Sequence, residues 1–87
     1  MNYYTYIIQS IFTKAFYIGY THNLSSRLHK HNSGSTKSTK SAIPWELVYY
    51  EKYETKTEAI KRERDIKSKK SRKYILLLIE SNGGRPD

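Results

Sequence analysis

Two stretches rich in aromatic and β-branched residues, Tyr3 to Gln9 and Phe16 to Thr21, stand one short turn apart. Such alternation reads as strand, and Ile11 to Lys14 between them reads as the turn of a hairpin. The rest of the chain must cover that hairpin. Asn23 is a good N-cap for a helix from Leu24 to about Asn32, and Gly34 suits its stop. Residues 34–44 read as a Ser/Thr/Lys loop ending in Ile43-Pro44, and Trp45 to Tyr53 reads as a third strand. Thr55 with Glu58 three residues later forms a capping box for a helix to about Ser68. A last helix near Ser71 to Ser81 presents Tyr74, Ile75, Leu78 and Ile79 as its apolar stripe. The order β-β-α-β-α-α predicts an α+β domain, a small three-stranded sheet packed with helices around one core. We assign residues 1–81 to this domain. Residues 82–87, with Gly83-Gly84-Arg85-Pro86, are expected to be a fraying tail.

At 87 residues the chain buries roughly 60–65% of its unfolded surface, so the core is small. There is no cysteine, hence no disulfide, thiolate metal site or cysteine nucleophile. The longest apolar run, Tyr74 to Ile79, is too short to span a membrane. The first residues lack the pattern of a signal peptide. A cytoplasmic location and no membrane partner are the expectation.

The charge is lopsided. Net charge is +8, and no Asp or Glu occurs in residues 1–45. Lys61 to Lys73 carries eight Lys or Arg against Glu63 and Asp65. A field of this sign attracts polyanions, nucleic acid foremost. A solvated helix face or a ribosome-associated basic protein fits the charge as well.

Glu63 stands out by position. Ala59 and Ile60 lie one helical turn before it and Ile66 one turn after, which puts a carboxylate on the core-facing stripe. It needs a cation: a nearby Arg or Lys, or a divalent metal. The pattern leaves both open. Arg27 and His31, at i and i+4, share a helix face beside Leu24 and Leu28. An arginine there can clamp phosphate and a histidine can accept or relay a proton, although an ordinary amphipathic surface helix also looks like this. His22 and His29 read as surface residues. Tyr17 and Gly19 point to one side of their strand, and Tyr6 reaches that side if the hairpin register allows. Gly19 marks a place where another group comes close, such as a substrate phosphate. Tyr49, Tyr50, Tyr53 and Trp45 read as packing residues. Lys37 and Lys40, in the acid-free loop from Ser33 to Ser41, can contact a phosphate backbone or belong to a plain connector.

Together these positions resemble the GIY-YIG nuclease superfamily. Its second motif is literal as Tyr17-Ile18-Gly19. The first is degenerate, Tyr4-Thr5-Tyr6-Ile7, with Tyr6 matching the key tyrosine. Arg27, His31 and Glu63 follow in the family's order, and the likeness runs from about Tyr3 to Ile79. The chain is most similar to the small stand-alone bacterial group akin to the excinuclease C amino-terminal domain. The asparagine that many members carry after the glutamate helix has no clear counterpart, Asn82 lying in the tail.

The resemblance implies a DNA endonuclease acting in repair, recombination or defence. One divalent ion, Mg²⁺ or Mn²⁺, would be held by Glu63. Tyr17 would act as general base with its proton loss eased by the metal and Arg27. Arg27 would stabilise the phosphorane-like charge, His31 would take the proton onward, and Tyr6 would orient the group. Gly19, Lys37 and Lys40 would contact DNA. No sequence-reading helix is apparent, so selectivity is expected from DNA shape or a protein partner. The alternative is a nucleic-acid-binding module on the same fold with weak or absent turnover. An RNA-binding accessory protein rests on charge alone.

Overall fold

A computed structural model describes residues 1–81. β1 (Tyr3–Ser10) is the central strand of an antiparallel sheet ordered β2-β1-β3, with β2 (Phe16–Thr21) and β3 (Trp45–Tyr53) at its edges. Among the described residues three α-helices, α1 (Leu24–Asn32), α2 (Lys56–Ser68) and α3 (Arg72–Glu80), and a 3-10 turn at Lys40–Ala42 complete it. The element order is the expected one. The tail expected over residues 82–87, including Asn82, lies outside the described residues.

Local chemistry sets the boundaries. The Ser10 hydroxyl accepts from the backbone N–H groups of Phe12 and Thr13 and so shapes the hairpin turn. Asn23 caps α1 through Oδ1 to Ser26 N at 3.0 Å, and Gly34 ends that helix with φ +83°. Thr55 caps α2, its hydroxyl accepting from Glu58 N and donating to the Glu58 carboxylate. Ser71 caps α3 through Tyr74 N.

The single expected core is divided in two by the sheet, because successive β1 side chains alternate faces. On one face Ile7 and Tyr49 meet Ile66 of α2 and Ile75 of α3. Burying aliphatic side chains such as Ile7 and Ile66 contributes roughly 1.5–3 kcal/mol each. On the other face Tyr6, Ile8 and Trp45 pack against Tyr17 and against Leu24 and Leu28 of α1. The register places Tyr6 opposite Gly19 and Ile8 opposite Tyr17, so both motif tyrosines share the α1 face. Thr5, on the α2 side, donates its hydroxyl to the Ala59 carbonyl at 2.8 Å, tying α2 to the central strand.

Candidate active site

Tyr6 sits mid-strand on β1 and is 2% exposed. Its phenol crosses the neighbouring strand at Gly19, where a Cβ would stand 2.5 Å from the Tyr6 hydroxyl. This corrects the expectation for Gly19. The glycine is buried, and the group it admits is the Tyr6 ring rather than a substrate phosphate.

Beyond Gly19 the hydroxyl meets α1. Tyr6 Oη lies 2.8 Å from His31 Nε2, and Arg27 Nε donates to Tyr6 Oη at 3.4 Å. On its far side, His31 Nδ1 lies 2.9 Å from Thr39 Oγ1, whose own hydroxyl reaches the Thr36 carbonyl. Arginine has no acceptor, which gives the chain a direction. If Arg27 donates to Tyr6, Tyr6 donates to His31 Nε2, the His31 Nδ1–H donates to Thr39, and Thr39 donates to Thr36. Every proton then has an acceptor, and His31 is the neutral Nδ1–H tautomer. Burial, with the nearby Arg27 charge second, pushes the His31 pKa below its usual value and agrees with that state. Burial also raises the Tyr6 pKa, against a smaller opposing pull from Arg27. Tyr6 is therefore a proton donor in this chain and not a base. The hydrogen bond to Tyr6 in turn raises the pKa of Arg27.

His31 is 0% exposed and both ring nitrogens are engaged. The proton shuttle expected of it has no solvent-facing end, and its Nε2 holds the Tyr6 hydroxyl. It also forms the wall for Tyr17, whose ring packs edge-on at 5.0 Å from the imidazole and 6.4 Å from the Trp45 ring. Trp45 is buried and its indole N–H donates to the Thr39 carbonyl at 2.9 Å, so it is a core anchor as expected. Tyr17, unlike Tyr6, keeps part of its surface open on the edge strand.

Glu63 lies between the buried residues Ala59 and Ile66 on α2, as the stripe predicts, with its side chain 15% exposed. The Lys67 ammonium holds it at 2.5 Å, an i,i+4 pair, while Lys67 itself is 49% exposed. Lys67 Nζ stands 6.0 Å from the centre of the Tyr17 ring. The Glu63 charge is also felt at Tyr6. Tyr6, Tyr17, Arg27, His31 and Glu63 therefore gather around β2. Lys37 and Lys40 do not join them. Both are exposed on the loop after α1, and the inward-facing residue between them is Thr39.

Thr39 and Lys67 were not singled out from sequence. Nothing distinguishes Thr39 among the hydroxyls of its loop, since its burial is a tertiary fact. Lys67 had a readable signal, the four-residue spacing from Glu63.

A family model described as the GIY-YIG catalytic domain matches residues 2–75. UPF0213 proteins of Staphylococcus aureus strains Mu3 and N315 are each 46% identical over 65 residues, covering 74% of this chain and 79% of theirs. The solution NMR structure of a UPF0213 protein from Bacillus halodurans is similar with a TM-score of 0.60 and 34% identity. That match covers 97% of this chain and 88% of the other.

Proposed function

The chain belongs to the GIY-YIG catalytic domain family, a nuclease family, and on that premise we propose a divalent-metal-dependent DNA endonuclease. Repair, recombination and defence are the settings that suit it. The observation that carries the reading is the gathering beside β2 of Tyr17, of Arg27 through Tyr6, and of the largely buried Glu63 carboxylate through Lys67.

The donor set fits an ion held lightly. Among the described residues no group of three His, Cys, Asp or Glu could hold a metal. Magnesium is commonly bound through one or two carboxylates, with water and substrate phosphate oxygens filling the octahedron. Glu63 is such a carboxylate, and Lys67 must leave it for Mg²⁺ or Mn²⁺ to bind. The ion, once bound, supplies Lewis-acid neutralisation of the scissile phosphate and its leaving oxygen.

The remaining work falls to side chains. Arg27, oriented through Nε by Tyr6, turns its other guanidinium nitrogens to the phosphate and offsets charge in the transition state. Tyr17, partly open to solvent on the edge strand, gives up its own phenolic proton to solvent and, as the phenolate, takes the proton of the attacking water. Tyr6, His31 and Thr39 are positioning residues that fix Arg27 and the Tyr17 ring. Lys37 and Lys40 contact the backbone of bound DNA, and a protein partner or DNA shape supplies selectivity.

The rival reading, a binding module with feeble turnover, is favoured by one observation: Lys67 already neutralises Glu63. The test compares wild type with Glu63→Gln on labelled duplex, single-stranded and branched DNA in Mg²⁺, Mn²⁺ and EDTA. Cleavage that needs metal and disappears in the variant is expected. Binding without cleavage in any metal, unchanged by the substitution, would replace the nuclease with the binding module.

A further inference from the structure

Beside Arg27 lies a cleft of ≈ 580 Å³. Its walls come from the open end of the hairpin and from two helices: Tyr3, Tyr20, Ser26, Arg27, Lys30 and Lys56 are among them. No residue lining it is acidic. Arg27 and Lys30 are three apart on α1 and share a face, while Lys56 opens α2 opposite them. Lys30 and Lys56 are exposed, and no ion pair among the described residues involves either. The contrast with a second concavity of ≈ 720 Å³ is informative. That one mixes Glu58 and Asp65 with Lys61 and Arg62, and Arg62 is already bound to Glu51 and Asp65. With Arg64 the second lining carries three cations against two carboxylates, whereas the first carries three cations and no carboxylate.

A concave site carrying three cations, two tyrosine rings and no carboxylate has the chemistry that holds a nucleic-acid strand by its phosphates and an aromatic face. Its volume falls in the range of small-ligand sites, roughly 300–1,000 Å³, a size that one unpaired nucleotide matches. Arg27 lines the cleft and is also the phosphate ligand of the nuclease reading, on which this step rests. We propose that the cleft seats an unpaired nucleotide next to the scissile phosphate. Lys30 and Lys56 hold its flanking phosphates and Tyr20 offers a stacking face. The chain then acts on DNA that presents a single-stranded segment rather than on continuous duplex.

The test is fluorescence anisotropy in EDTA, where nothing is cut, with a blunt duplex, the same duplex carrying an overhang, and the single strand. Wild type is expected to prefer the overhang and the single strand over the blunt duplex by about tenfold. Replacing Lys30 and Lys56 by Ala should remove that preference and lower the log–log salt slope by about 0.7 for each lysine on single strands. Lys73→Ala, on α3 outside the cleft, is the charge control and should leave the preference unchanged. Tyr20→Leu keeps apolar bulk but loses the ring, so single-strand affinity should fall at least about fivefold. Tyr20→Phe should not change it. Equal affinity for blunt and overhang DNA, or the same loss in Lys73→Ala as in the double variant, overturns the proposal. Parallel digestion in Mg²⁺ separates the two readings. Binding preference without cleavage sinks the nuclease and leaves the cleft. Cleavage with no preference sinks the cleft and leaves the nuclease.

Discussion

On the α2–α3 face of the sheet, Glu51 accepts hydrogen bonds from the hydroxyls of Tyr49 and Tyr53 and two from Arg62, at 2.8 and 3.1 Å. Arg62 goes on to Asp65 at 2.6 Å and Tyr74 at 3.2 Å. Around β2, Arg27 on the α1 face has one long bond to Tyr6, and Glu63, reaching in from α2, has one half-exposed lysine. Both clusters use tyrosine, arginine and a carboxylate. The first is closed, with every polar atom matched to another of the chain. Burial alone would raise the Glu51 pKa, but the bonds from Arg62, Tyr49 and Tyr53 outweigh it and hold the carboxyl below its usual range. Burial and the same carboxylate push Tyr53 up to about 12. The second cluster stays open at Arg27, Tyr17 and Glu63. Composition does not separate a closed clamp from an open cluster; unspent bonding capacity does.

The sharpest way to break this contrast is to remove one member from each side. Arg27→Ala and Glu63→Ala should lower cleavage at least about a hundredfold. Their thermal midpoints should move by only a few degrees, since partly exposed pairs contribute little. Glu51→Ala should do the reverse. It leaves Arg62 with only Asp65 and Tyr74, takes the acceptor from the Tyr49 and Tyr53 hydroxyls, and costs on the order of 2–4 kcal/mol, about 10 °C or more in midpoint, while activity per folded molecule stays near wild type. Calorimetry beside a cleavage assay at low temperature checks both. Loss of activity in folded Glu51→Ala would dissolve the distinction.

Glycines sharpen it further. Gly19→Ala places a Cβ against the Tyr6 hydroxyl, so the phenol must leave His31 and Arg27. Cleavage should fall roughly ten- to a hundredfold and stability by about 1–3 kcal/mol. Gly34→Ala meets only Ile43 at 3.8 Å, but its φ is +83°. It should cost on the order of 1 kcal/mol and leave activity alone. Steady-state rates with denaturant melts of the two variants test this.

Acid should dissect the faces in sequence. His31 is neutral in the fold and its pKa is depressed, so the unfolded chain binds more protons just below its usual value. Stability from the α1 face is complete above about pH 6.5 and declines as pH falls further, by up to about 1.4 kcal/mol per unit. The Glu51 contribution, also from a depressed pKa, persists until pH drops below about 4.3 and is lost on passing the folded value. Urea unfolding across pH 4 to 8 should show the first decline missing in His31→Gln and the second missing in Glu51→Gln. The smallest expected effect is at Lys67. Lys67→Met should tighten Mn²⁺ binding without DNA a fewfold, with stability changed by less than about 0.5 kcal/mol, as titration calorimetry would show.

Much of this was legible from sequence because local rules act over a few residues. Asn23, Thr55 and Ser71 fix helix starts through bonds spanning three residues, and alternation in Tyr3 to Gln9 fixes which tyrosines share a face. Glu63 on the stripe between Ala59 and Ile66 was visible for the same reason. What stayed hidden depends on packing across the chain. The partner of Gly19 is fixed by register, the burial of Thr39 by a loop folding under α1, and the Glu51–Arg62 clamp by contact between β3 and α2. The full burial of His31, a candidate site residue from sequence, was hidden because helical spacing does not show Tyr6 and Thr39 closing on its two ring nitrogens.

Trp45 is the sole tryptophan of the chain, and it lies wholly within the Tyr6 cluster, bonded to Thr39 and edge-on to Tyr17. The α2–α3 core contains none. Indole emission is therefore a private signal of one half of the molecule. A bound ligand or a substitution that shifts the Tyr17 wall changes its colour or intensity, while rearrangement around Glu51 leaves it dark. The protein arrives with its reporter dye already seated at the face that matters.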